Sequence, residues 1–196
     1  MRLKAIIVSV IVAGLFAVRA EASPITPITP TATELVATGG DVIIYFAGAT
    51  ASYDSVLNLI DPAGFSSNPF FPNHSTPVGT SLNLGDYAPG TILRFRLDVI
   101  PTGDHFFTGP GSGNPDGVIH VGQALWAADA SIPVNGILVG FEDLFGGGDR
   151  DYDDNTFVFT NVATTVFNQD AVPEPASLLL LGSGLLVLGR KLAVRR

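Results

Sequence analysis

The sequence predicts an all-β fold, an antiparallel β-sandwich of the jelly-roll kind. Two observations support this: apolar and β-branched segments alternate with clusters of Gly, Pro, Asn and Asp, and no segment of residues 33–170 carries a helical stripe of useful length. The chain has no cysteine, so a hydrophobic core must hold the domain together instead of disulfides. About 150 residues suffice for one such core, and we expect a single acidic domain over residues 33–170.

Several segments have the length and composition of strands. The clearest is residues 92–99, where apolar side chains alternate with polar ones, a pattern that indicates a strand with one buried face. Antiparallel strands with one apolar face each pack best as two facing sheets. The other predicted strands are residues 42–47, 52–60, 79–84, 118–126, 136–141 and 156–162.

Residues 1–22 have the layout of a secretory signal peptide. Lys4 precedes an apolar stretch, and Ala20 and Ala22 supply the small side chains that signal peptidase requires. We expect cleavage after Ala22. The alternative is an uncleaved anchor helix, although the apolar stretch is short for a membrane span of about 20 residues. Residues 23–32 repeat proline and threonine without an apolar face, and they are predicted to be an extended linker.

Residues 171–196 combine three features in a fixed order. Pro173, Glu174 and Pro175 come first, and an apolar run over residues 176–188 follows. The prolines stop a helix from continuing backward, so a separate hydrophobic helix is predicted after them. Basic residues beside a membrane segment favour its cytoplasmic side, which places the acidic domain outside the cytoplasm. The basic cluster here is Arg190, Lys191, Arg195 and Arg196.

This tail resembles the PEP-CTERM protein-sorting signal of Gram-negative bacteria over residues 171–196. The resemblance implies that an exosortase-type membrane peptidase recognises and removes the tail, in addition to the signal peptidase that the N-terminal segment predicts. It also implies an exported protein, anchored transiently in the inner membrane, that reaches the cell envelope, the outer surface or an extracellular matrix, often together with exopolysaccharide. A permanent membrane anchor is the alternative.

The region between these two ends is strongly acidic. Residues 23–175 contain 17 acidic residues against Arg94, Arg96 and Arg150, a formal net charge of about −14. Such a surface repels the phosphates of nucleic acids and of anionic lipids, because binding them requires clustered Lys and Arg. Nucleic acid is therefore excluded as a partner, whereas cations are favoured.

The densest group of carboxylates lies between the predicted strands 136–141 and 156–162. Without a counter-ion these groups would repel one another. Alternating carboxylates are typical of calcium loops, since Ca²⁺ takes about 6–8 oxygen ligands in flexible geometry. Glycines at 146–148 allow the chain to reverse sharply. The sequence therefore predicts a calcium site formed by Glu142, Asp143, Asp149, Asp151, Asp153 and Asp154.

The loop differs from an EF-hand and from a zinc site. Counting from Asp149, the sixth and twelfth positions hold Asp154 and Thr160 instead of the glycine and glutamate of an EF-hand. The chain lacks cysteine and its histidines are scattered, which disfavours zinc. Asp116, in a predicted turn over residues 114–117, is a further candidate ligand from a neighbouring loop, with a simple turn as the alternative. For the acidic loop the alternative is a solvated turn.

Residues 140–155 resemble the hallmark of the domain of unknown function 4114 family. Its members carry Gly-Phe-Glu-Asp, then Gly-Gly-Gly-Asp, then Asp-Tyr-Asn-Asp before a closing strand. The same groups occur here in the same order, with Asp153 where asparagine is usual. That change adds charge but keeps a side-chain oxygen. The resemblance implies the identity of the whole domain and does not imply an activity.

Two functions are compatible with these features. The first is a non-catalytic surface or matrix protein whose sandwich is stabilised by calcium and which contacts exopolysaccharide in a biofilm. The second is a glycoside-cleaving enzyme that uses Glu142 with Asp143, Asp149 or Asp151 as acid and base. Adjacent carboxylates point to opposite faces of a strand, and a loop tip offers no cleft for a substrate. The sequence therefore favours the non-catalytic function.

Overall fold

A computed structural model describes residues 28–30 and 33–166 of the chain. The predicted signal peptide, most of the predicted linker and the sorting tail with its hydrophobic helix lie outside the described residues. Within the described residues, no helix is long and apolar enough to cross a membrane. The fold therefore concerns the acidic domain.

The described residues are almost entirely β. A single turn of 3₁₀ helix, Gly111–Gly113, is the helical element among them. The strands are β1 (Thr29–Pro30), β2 (Thr33–Ala37), β3 (Gly40–Gly48), β4 (Ser55–Asp61), β5 (Ser81–Tyr87), β6 (Ile92–Val99), β7 (Asp104–Phe107), β8 (Val121–Trp126), β9 (Gly136–Phe141), β10 (Asn155–Phe159) and β11 (Val162–Val166).

Two antiparallel sheets make up the domain. The larger has the order β1-β8-β9-β10-β3-β5, and the smaller has the order β11-β2-β6-β4 with β7 also paired to β6. Strands β2 and β7 share one edge of β6, because β2 pairs with its first residues and β7 with its last. The predicted all-β sandwich is confirmed. Two residues of the predicted linker, Thr29 and Pro30, form β1 and pair with β8.

A hydrophobic core fills the space between the sheets. In β6, Leu93, Phe95, Leu97 and Val99 are buried and the intervening polar residues are partly exposed, as the alternating pattern predicted. Phe159 of the larger sheet meets Phe95 with ring centroids 4.9 Å apart. Burial of each such side chain stabilises the fold by about 1.5–3 kcal/mol.

One predicted strand was wrong in its extent. Residues 156–162 were expected to form a single strand, but β10 ends at Phe159 and β11 begins at Val162 in the other sheet. Between them Asn161 has φ of 55°, a left-handed conformation that asparagine tolerates, and its Nδ2 donates to the carbonyl of Asp41 at 2.7 Å. The chain crosses from one sheet to the other at this turn.

Candidate metal centre

The acidic loop connects β9 to β10, which are neighbours in the larger sheet. Phe141 and Asn155 are paired across the two strands, so the loop leaves and re-enters the sheet at the same end of the sandwich. Glu142 continues the pairing of β9 by one residue, since its N–H donates to the carbonyl of His120 at 2.9 Å. The start of the loop is therefore held as rigidly as the strand before it.

The three consecutive glycines turn the loop back on itself. Gly147 N–H donates to the carbonyl of Leu144 at 2.9 Å, which closes a tight turn. Gly146, Gly147 and Gly148 have φ of 89°, 82° and 46°, a region that side chains with a Cβ rarely adopt. This reversal brings the second half of the loop over the end of β9.

Glu142, Asp149 and Asp151 converge as a result. One carboxylate oxygen from each lies within 4.8 Å of the others, and this is the group of potential metal ligands found among residues 28–30 and 33–166. Asp149 and Asp151 are exposed, whereas Glu142 is 0 % exposed. The cluster therefore has one buried side and one side that is open to solvent.

Glu142 has one satisfied oxygen and one without a partner. Its Oε1 accepts the N–H of Tyr152 at 2.6 Å, but the buried Oε2 accepts no hydrogen bond from the described residues. Burial raises the pKa of Glu142 above its usual range, and the charges of Asp154 and Asp149 raise it further. Hydrogen bonds from the backbone N–H groups of Tyr152 and Arg150 oppose this rise only in part. A buried carboxylate in this situation requires a proton or a cation.

Gly148 leaves space beside that oxygen. A Cβ at this position would lie 2.4 Å from Glu142 Oε2 and 3.7 Å from the Cβ of Leu144. Any side chain here would press directly on the unpartnered oxygen. The absence of a side chain at Gly148 therefore avoids a clash with Oε2.

Asp143 lies apart from this cluster and beside Asp154. The Asp143 N–H donates to Asp154 Oδ2 at 3.0 Å, and the Asp143 side chain is buried with its Oδ2 unpartnered among the described residues. Burial, then the charges of Asp154 and Glu142, raise the pKa of Asp143 to about 7. Two carboxylates of the predicted ligand set thus form a second, neighbouring group.

Asp153 is engaged elsewhere. Its carboxylate accepts the hydroxyl of Thr50, and its N–H donates to Asp151 Oδ1 at 3.2 Å. Burial raises the pKa of Asp151, and the charges of Asp153 and Asp149 raise it further. Asp153 therefore ties the loop to the chain that follows β3, and it lies outside the three-carboxylate cluster.

Asp116 also lies outside the cluster, where it holds the loop from the side. Its carboxylate accepts N–H groups of Val118 and Gly146 at 3.0 and 2.7 Å and contacts His120 Nε2 at 2.8 Å. Burial alone would raise the pKa of Asp116, but these hydrogen bonds and the His120 ring together lower it. Asp116 thus braces the glycine turn on which the cluster depends.

His120 is a further residue of the site, and the sequence favours a structural role for it over a ligand role. It is fully buried, stacks on Phe106 with centroids 3.7 Å apart, and its Nδ1 lies 3.1 Å from the carbonyl of Glu142. The two ring nitrogens face the carbonyl of Glu142 and the carboxylate of Asp116, so the ring links the start of the loop to the residue that braces it. No local motif marks this role, because Phe106 and Glu142 come from distant parts of the chain.

The chemistry of the cluster suits a hard divalent cation. All its ligand atoms are carboxylate oxygens, and the histidines of the described residues contact Asp54, Asp98 and Asp116 instead. Ca²⁺ accepts flexible oxygen coordination completed by carbonyls and water, whereas zinc favours nitrogen and sulfur. The residues present therefore fit calcium.

Comparison with known proteins identifies one segment of the chain. A family model of the PEP-CTERM protein-sorting motif matches residues 171–196. No curated protein and no solved structure matches the chain. The motif indicates an exported protein that is anchored transiently at the membrane before an exosortase processes it. The resemblance of the domain to the domain of unknown function 4114 family stays a prediction.

Proposed function

We propose that this protein is a non-catalytic component of the outer surface or extracellular matrix of a Gram-negative bacterium, with a loop that calcium holds in place. The observation that carries the proposal is the buried Oε2 of Glu142, which has no hydrogen-bond partner in the described part of the chain and belongs to a carboxylate that clusters with Asp149 and Asp151. A cation at this point would satisfy the oxygen and cancel the repulsion among the three carboxylates.

Location and charge support calcium as the cation. The sorting motif directs the domain out of the cytoplasm. Outside the cell, calcium is abundant enough to fill even a weak site. The domain has few basic side chains with which to neutralise its carboxylates. A cation that binds only the folded state stabilises it by mass action.

Burial argues for a binding role over catalysis. Glu142 is 0 % exposed and Asp143 is 3 % exposed, so neither carboxylate reaches a polymer outside the domain. A glycoside-cleaving enzyme needs both its acid and its base in contact with the sugar. We therefore assign the loop a structural role, and we propose exopolysaccharide of a biofilm matrix as the partner of the exported domain.

A thermal melt with and without calcium tests the metal site. At 100 times its dissociation constant, calcium would stabilise the fold by about 2.7 kcal/mol, and this raises the Tm by several degrees in a domain of this size. Asp149→Ala should abolish most of that rise. Without calcium the variant should be no less stable than the wild type, because removing a carboxylate relieves repulsion. The double variant Asp149→Ala/Asp151→Ala should lose no more than the single one.

A matched pair of glycine variants separates the site from the turn. Gly148→Ala places a methyl group against Glu142 Oε2, whereas a Cβ at Gly146 meets no atom of the described residues within 4 Å. Both positions have positive φ, so both variants carry backbone strain, and only Gly148→Ala also presses on Glu142. Gly148→Ala should lose the calcium response and Gly146→Ala should keep it. A wild-type melt that is indifferent to calcium would reject the site.

A further inference from the structure

We infer that the same loop binds a second divalent cation, held by Asp143 and Asp154 on the opposite side of the β9 extension from the Glu142 cluster. This rests on the proposed function, since it adds a neighbouring site to the first. The independent observation is Asp143 Oδ2: the side chain is 3 % exposed, and this oxygen has no hydrogen-bond partner among residues 28–30 and 33–166.

The alternation of side chains along β9 separates Glu142 from Asp143. Glu142 extends β9, as its N–H bond to His120 indicates, and successive side chains of a strand point to opposite faces. Gly140, on the same face as Glu142, lies beneath the backbone of Tyr152. Phe141, on the other face, belongs to the core between the sheets. The alternation places Asp143 on the Phe141 side and Glu142 on the Tyr152 side.

The charge of the loop also calls for more than one divalent ion. Between Glu142 and Asp154 the chain has six carboxylates and the single cation Arg150. One calcium would leave a net charge of about −3, concentrated on the side of Asp143 and Asp154. The Thr50 hydroxyl satisfies Asp153 without neutralising it. A second divalent ion would bring the loop close to neutrality, which favours burial of Asp143.

Asn155 offers a further oxygen on this face. It is directly opposite Phe141 and fully buried, its Oδ1 accepts the hydroxyl of Ser55 at 2.9 Å, and its Nδ2 has no partner among the described residues. A half turn of the amide lets Nδ2 donate to the Ser55 oxygen. The unpartnered atom among the described residues is then a neutral oxygen, which a cation can use.

Counting bound calcium tests the inference. Calcium bound to the purified protein is measured by native mass spectrometry and by isothermal titration, with calcium as the only added ligand. We expect two ions in the wild type and one in Asp143→Asn, which keeps the shape of the side chain but removes its charge. Asp154→Asn should also bind one. Gly148→Ala should retain the second site alone, and the double variant Gly148→Ala/Asp143→Asn should bind none.

Asp153→Asn is the matched control. It removes a carboxylate that belongs to neither group of ligands and leaves the backbone N–H that binds Asp151 in place, so it should still bind two ions. A single ion in the wild type that Gly148→Ala removes would overturn the second site and leave the proposed function intact. No ion in the wild type would overturn both. Loss of one ion in Asp153→Asn, or two ions retained in Asp143→Asn, would also overturn the second site.

Discussion

Adjacent carboxylates at the end of β9 are the most unusual residues of the domain. Glu142 and Asp143 are both buried, and each has an oxygen that no described residue satisfies. Buried charges in proteins are normally paired or bound to metals, because removing a carboxylate from water costs several kcal/mol. Without calcium, the same two groups can lower this cost only by taking up protons.

Proton uptake predicts the pH dependence of the calcium-free protein. The pKa of Asp143 is raised to about 7 and that of Glu142 is also raised, so between about pH 4 and pH 7 the folded state binds more protons than the unfolded state. Its free energy of unfolding should therefore fall as the pH rises through this window. Urea denaturation of calcium-stripped protein at pH 5 and pH 8 measures the difference.

Two comparisons make this pH prediction specific. Asp143→Asn cannot titrate at this position, so it should flatten the pH dependence and be the more stable protein at pH 8. Saturating calcium should reverse the trend, since calcium competes with protons for the same carboxylates. A calcium-free wild type that gains stability between pH 5 and pH 8 would contradict the prediction.

For single residues, the sequence predicted which loop holds the carboxylate cluster better than it predicted the partner of each carboxylate. The density of carboxylates and the glycine run pointed to Glu142, Asp149 and Asp151, because all three lie within one short loop. It could not separate them from Asp116 and Asp153, whose partners His120 and Thr50 are brought close by the fold. An aspartate accepts a hydrogen bond from whichever donor the fold brings close to it. The sequence around the aspartate does not reveal that donor.

Strand prediction succeeded best for the strands whose own residues carry a clear apolar pattern. The bounds of β6 and β9 agree with residues 92–99 and 136–141, since their buried faces give a clear apolar pattern. Strands β2, β7 and β11 were not predicted. They are only four or five residues long, and β7 follows a turn rich in breakers. Their formation depends on the neighbouring strand more than on their own residues.

Glycines in β8 and β9 allow the loop to lie flat on the sheet. A Cβ at Gly140 would lie 1.8 Å from the carbonyl oxygen of Tyr152, and a Cβ at Gly122 would lie 2.9 Å from the Tyr152 ring. Tyr152 is buried on these two glycines, and its N–H binds Glu142 Oε1. The two strands thus set the height of the loop above the sheet.

Gly140→Ala should therefore disturb both the fold and the metal site. The backbone of Tyr152 has to move away, and such overpacking typically costs about 1–3 kcal/mol. We expect a lower Tm without calcium and, because the Glu142 contact is displaced, a smaller rise with calcium. Gly90→Ala, in a turn where a Cβ meets nothing within 4 Å, should keep the full calcium response. Equal calcium responses in the two variants would contradict this role of Gly140.

Considered as a whole, the chain separates its charges by region. The domain is acidic, and the basic residues are concentrated in segments 1–22 and 171–196, which the sequence predicts to be processed. Composition alone is enough to predict this division, because export and sorting signals are contiguous segments. The sandwich forms by pairing strands that are distant in the sequence. The periodicity of the sequence therefore predicted the fold class but not the order of the strands in each sheet.

The basic cluster of the sorting tail should control processing. Neutralising Arg190, Lys191, Arg195 and Arg196 together removes the charges that hold this end of the apolar segment at the cytoplasmic face. We expect the variant to accumulate as an unprocessed, mislocalised precursor, detected by immunoblotting of cell fractions. A variant with lysine in place of the three arginines keeps all four charges and should mature normally. Normal maturation of the neutralised protein would show that the charges are dispensable, whereas failure of the lysine variant would show that the enzyme recognises the arginine side chains themselves.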